Sequence, residues 1–110
     1  MQLVEQFISF LKNQKNQPSK ATIKNYKADV SQFIRWFEER FKNSFDPSRA
    51  TSQVVDLYRE SQSFSASSME RHLSSLRKFF YFLKIEGIAS QSPFEMSEVR
   101  SQKLEVDPYR

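Results

Sequence analysis

The chain has 110 residues, enough to close one hydrophobic core and too few for two ordinary domains. Phenylalanine occurs 11 times, glycine once and cysteine not at all, which suits long helices and excludes a disulfide framework or a thiolate metal site. A formal net charge of +4 favours an acidic partner. No apolar run is long enough to cross a bilayer and the first residues lack the pattern of a secretion signal, so the expectation is one compact all-α domain in a reducing, cytoplasmic setting.

Leu3, Phe7 and Leu11 fall one turn apart with Val4 and Ile8 beside them, the pattern of a short amphipathic packing helix. Asn16, Gln17 and Pro18 break it, and Ser19 is placed to cap a longer helix running to about Lys42. In that second helix Ile23, Tyr26, Val30, Phe33, Ile34, Phe37 and Phe41 form the apolar stripe. Lys20, Lys24 and Lys27 flank it, with Ser31 and Arg35 on the adjoining polar face. No acid lies between Gln6 and Ala28, so positive charge gathers at the start of this helix, whereas a merely solvated face usually mixes signs. A Ser-Phe-Asp-Pro turn within residues 43–50 ends the helix, and Thr51 can cap a third through about Ser61, with Val54, Val55 and Tyr58 on its packing side.

The fourth helix follows a short polar connection and a capping Ser65, and Gly87 stands where its C-terminus would want a glycine. Met69, Leu73, Leu76, Phe80 and Leu83 recur at helical spacing and are expected in the core. Ser67, Arg71, Ser74 and Lys78 share the opposite face, which is small, basic and free of acids, so that a phosphate backbone could approach closely. Neither Arg71 nor Lys78 lies on the apolar stripe, so replacing either is expected to leave stability nearly unchanged. The second and fourth helices also echo one another: each opens with a capping serine, a hydroxyl residue three places on, and an apolar residue next. If the fold brings the two starts to one side, they form a paired clamp on a groove and its phosphates.

The string Ser19-x-x-Thr22-Ile23-x-x-Tyr26-x-x-Asp29-Val30-x-x-Phe33-x-x-Trp36-Phe37, then Phe64-Ser65-x-x-Ser68-Met69-x-Arg71-x-Leu73-Ser74-x-Leu76-Arg77-x-Phe79-Phe80-x-Phe82-Leu83 and later Ser92-Pro93, resembles the N-terminal core-binding domain of tyrosine recombinases, the phage integrase family. Ser68 stands where that family more often has threonine, which keeps the hydroxyl. The resemblance implies a SAM-like bundle of four to five helices that grips one side of a recombination site. Its second and fourth helices would lie at the major groove, beside other recombinase protomers on the same double-stranded DNA. It implies Thr22, Lys24 and Asn25 in one helix, and Ser67 and Arg71 in the other, as DNA contacts, with Lys20, Lys27 and Lys78 on phosphates; Ser74, on the same small face as Ser67 and Arg71, is expected to contact DNA with them. Asn25 and Arg71 carry side chains suited to adenine and guanine respectively, and either equally suits a phosphate.

On this reading residues 1–94 are the DNA-binding domain and 95–110 a linker toward a catalytic domain outside this chain, so the chain is not itself an enzyme. Tyr109 lacks room around it for the base and cations that a phenol needs to attack phosphorus. The single histidine, His72, borders the apolar stripe and reads as a packing residue, not as part of a metal site or triad. Cofactors, metals and small-molecule substrates are not expected. Two rival readings are a helical protein-interaction module whose exposed aromatics, such as Trp36, Phe10 or Phe82, dock a partner, and a helix-turn-helix regulator. The regulator would need a short recognition helix after a tight turn, which the long fourth helix and its loose approach do not supply.

Overall fold

The computed structural model describes residues 2–94, and the segment expected to be a linker, 95–110, lies outside them. The described residues form four α-helices, α1 (Gln2–Lys12), α2 (Lys20–Phe41), α3 (Ser52–Ser61) and α4 (Ala66–Ile85), with a short 3-10 turn at Pro47–Arg49. No strand occurs among them. The boundaries follow from local chemistry. Each of α2, α3 and α4 begins at a hydroxyl cap: the Thr22 N–H donates to Ser19 Oγ (3.1 Å), Val54 N–H to Thr51 Oγ1 (3.3 Å) and Ser68 N–H to Ser65 Oγ (3.2 Å). After α4 the chain turns at Gly87, with φ of 74°. The Ile88 N–H then donates to the Leu83 carbonyl (2.9 Å) and the Gly87 N–H to the Lys84 carbonyl (3.1 Å), the pattern of a Schellman stop.

Helix α4 is the centre of the bundle, with α2 and α1 packed on it. The expected stripe residues Leu73, Leu76, Phe80 and Leu83 are buried, and so are His72, Ser75, Phe79 and Phe82. The buried face is therefore wider than one stripe, because α1 covers one flank and α2 the other. Phe7 of α1 packs on both Phe79 (5.3 Å between ring centroids) and Phe82 (5.6 Å), and Phe10 also lies on Phe82 (5.1 Å). Met69, expected inside, is only half-buried at the edge of the core.

Phe82 is buried, and Phe10 and Trp36 pack against the core, so these aromatics are not the exposed docking anchors that one rival reading required. The connection between α2 and α3 is pinned by Phe45. Its ring sits among Phe33, Phe37, Phe79 and Phe80, and the Glu38 carboxylate accepts its N–H at 2.9 Å. This plug ties the end of α2 to the middle of α4 through a residue that no helical period would mark.

Candidate nucleic-acid interface

The contacts between α2 and α4 step in the same order along both helices: Asp29 meets Arg71, His72 and Ser75, and farther on Phe33 meets Phe80. Nearer the start of α2, Tyr26 packs on Phe7, which also touches Phe79 and Phe82 toward the end of α4. On α2, Lys20, Lys24, Asn25 and Lys27 are exposed. Thr22 is half-buried, and its Oγ1 accepts from the Ser19 hydroxyl at 3.0 Å, so it belongs to the cap as well as to the face. On α4, Ser67, Arg71 and Ser74 are exposed. Lys78 is half-buried, with its ammonium 5.6 Å from the Tyr81 ring centroid.

Arg71 differs from the expectation in one respect that changes its chemistry. Its side chain is 52% exposed, yet its guanidinium is paired with Asp29, whose side chain is 1% exposed. Nη2 donates to Oδ1 at 2.7 Å and Nε to Oδ2 at 3.2 Å, a two-point, charge-assisted pairing. Ser75 Oγ donates to the same Oδ2 at 2.7 Å. The face carrying Arg71 is acid-free along α4, but an acid reaches it from α2. Arg71 is thus part of what holds the bundle together, and the expectation that its loss leaves stability nearly unchanged is overturned: it would strand a buried carboxylate. Lys78 makes no such pair among the described residues.

Asp29 and Ser75 are the residues that reading by periodicity passed over. The signal was present, since Asp29 falls three residues after Tyr26 and four before Phe33, inside an apolar stripe, where a carboxylate needs a partner. Around it the polar groups are perturbed. His72 stacks on Phe64 with centroids 4.2 Å apart, and its Nε2 lies 3.5 Å from Asp29 Oδ1. Burial holds its imidazole below the ordinary value, with the positive charge of Arg71 adding to the effect and Asp29 opposing it. Tyr58 of α3 is fully buried, and its hydroxyl has no hydrogen-bond partner among the described residues. Burial first, and the nearby Asp29 charge second, push its phenol up to about 12. His72 is a packing residue, as expected, though one seated beside an ion pair.

Residues 4–87 match the family described as phage integrase, N-terminal SAM-like domain, and the chain belongs to that family. Among its relatives, it is 32% identical over 103 residues to the tyrosine recombinase XerC of Anoxybacillus flavithermus, covering 91% of this chain and 33% of the relative. It is 29% identical over 111 residues to XerC of Lactobacillus delbrueckii subsp. bulgaricus, covering 99% and 37%. To the tyrosine recombinase XerD of Oceanobacillus iheyensis it is 30% identical over 92 residues, covering 82% and 31%. The chain thus spans about a third of the length of the curated relatives it matches. No solved structure matches it.

Proposed function

We propose that this chain is the DNA-binding part of a site-specific tyrosine recombinase, and that it grips one side of a recombination site through the N-terminal halves of α2 and α4. The observation that carries the reading is the run of exposed Lys20, Lys24 and Lys27 at the serine-capped start of α2, a kind of start that α4 repeats with its own Ser65 cap. Free backbone N–H groups at such starts and lysines beside them suit phosphates, while small Ser67 and Ser74 let α4 sit deep against a duplex. Family membership and tyrosine-recombinase relatives support the same reading. Residues 1–94 are then the binding domain and 95–110 lead toward a catalytic domain, which does the cutting and rejoining. Partners are double-stranded DNA and further recombinase protomers on it.

The test is a titration of a mixed-sequence duplex at several salt concentrations. Neutralising three or four phosphates gives a log–log slope of about −3 or steeper, at roughly 0.9 per contact. A flat dependence, or no binding at low salt, sinks the proposal.

A further inference from the structure

Asp29 is the one carboxylate buried among the described residues, and Arg71 the half-exposed cation fastened to it. The pairing uses Nε and Nη2, the side edge of the guanidinium. That choice leaves the end edge, Nη1 together with the second N–H of Nη2, pointing away from the carboxylate. Nη1 has no partner among the described residues, and the approach of Nη2 to His72 Nε2, at 3.4 Å, is too long to hold it strongly. Two parallel donors on one edge are the shape that meets O6 and N7 of a guanine in the major groove. Asp29 itself cannot swing, since it is buried and Ser75 Oγ holds Oδ2 at 2.7 Å.

We infer that Asp29 is a positioning residue for base reading: it clamps Arg71 by the side edge so that the end edge is aimed at a guanine. It also cancels the charge that would make Arg71 a grip on any phosphate. The inference rests on the DNA-binding reading above and assigns a division of labour within it. Lys20, Lys24 and Lys27, exposed and without an ion pair to a carboxylate in the described residues, supply the sequence-independent hold. Arg71, whose charge Asp29 balances, adds little at a distance and acts through short hydrogen bonds once docked. Its ordering is completed in folding, so less is lost when a base is met.

A purely structural role for the pair would lower the melting temperature of Asp29→Asn without altering which sequences are bound. The experiment therefore reads sequence preference. The 110-residue chain and its Asp29→Asn variant are each incubated with a duplex pool of randomised centre, the bound fraction is sequenced, and a mixed-sequence duplex is titrated against salt. The wild type is expected to enrich a motif containing a guanine. In Asp29→Asn the preference at that base pair falls by about tenfold, within what one bidentate arginine–guanine contact supplies. Mixed-sequence binding is kept or tightened, and its slope steepens by about one unit because the Arg71 charge is uncovered. An unchanged motif in Asp29→Asn overturns the inference, as does a wild type that binds duplex with no base preference, and both results leave the DNA-binding reading standing. A wild type that binds no duplex at any salt overturns both. If Asp29→Asn does not fold, Arg71→Lys decides: it keeps the charge and lacks the two parallel donors, so a retained guanine preference refutes the inference and a lost one supports it.

Discussion

Replacing Arg71 by alanine is expected to destabilise the domain severely for a substitution at a half-exposed position. The change removes both guanidinium bonds to Asp29 and leaves a carboxylate that is 1% exposed with the Ser75 hydroxyl as its remaining close donor. Breaking a fully buried pair by deleting one member costs about 3–5 kcal/mol. Here the arginine side chain is 52% exposed, and its removal opens a route for water to the stranded charge, so about 2–3 kcal/mol is the proper scale. In a domain of this size that lowers Tm by about 10–20 °C. Thermal melting followed by circular dichroism measures it, with Lys78→Ala as a control expected to melt with the wild type. The mechanism is then isolated by adding Asp29→Asn to Arg71→Ala. A neutral amide needs no cation, so the double variant is expected to recover about 1–2 kcal/mol, a coupling typical of groups in direct contact. Arg71→Ala melting with the wild type, or a double variant less stable than either single one, would refute the reasoning.

Two further outcomes follow from the same surroundings, and a third from the stop of α4. The folded His72 ring holds its proton more weakly than the ordinary 6.5. Its contribution to stability is therefore complete above about pH 6.5 and is lost as pH falls, when the unfolded chain takes up the proton first; His72→Phe, which keeps an aromatic ring against Phe64, should flatten that part of the denaturation profile. Tyr58→Phe deletes a buried hydroxyl with no partner among the described residues and should hold or raise Tm. It should also remove an alkaline loss of stability that begins near the ordinary phenol value of 10.0 and extends to the folded value of about 12, as an absorbance titration with parallel melts would show. Gly87→Ala meets no atom within 4 Å but is forced to keep φ near 74°, so it should cost about 1 kcal/mol in urea denaturation through backbone conformation alone.

What could be read in the sequence was what neighbouring residues decide. Ser19, Thr51 and Ser65 cap the helices they were expected to cap, since a cap needs only a hydroxyl and the N–H three residues on. The exposure of Lys20, Lys24 and Lys27 was equally legible from their place beside an apolar stripe. What escaped joins residues far apart in the chain. Arg71 and Ser75 are 42 and 46 positions from Asp29, and nothing local says which of several basic side chains an inward-facing carboxylate will take. Phe45 lies in a connection without a period, so only its company of four rings reveals its role. A single apolar stripe on α4 leaves Phe82 outside, whereas a helix packed by neighbours on two flanks buries more of its circumference, Phe82 included.

The attachment of α3 also bears on which optical signal reports on which part of the protein. This helix has ten residues, below the roughly 12–15 at which isolated helices become even marginally stable, and its buried anchors are Val55 and Tyr58. Tyr58 is the firmer of the two, its ring edge-on to Phe33 at 5.1 Å and against Trp36 at 5.2 Å. Release of Val55 and Tyr58 together is expected to free α3 while α1, α2 and α4 keep their mutual packing, a sub-global opening whose amide protons exchange ahead of the rest. Trp36 is the only tryptophan in the chain, so intrinsic fluorescence watches the α3 hinge, whereas far-ultraviolet ellipticity watches the long helices. Denaturation curves from the two signals diverge to the extent that α3 departs first, and their separation becomes a direct gauge of how independently that helix breathes.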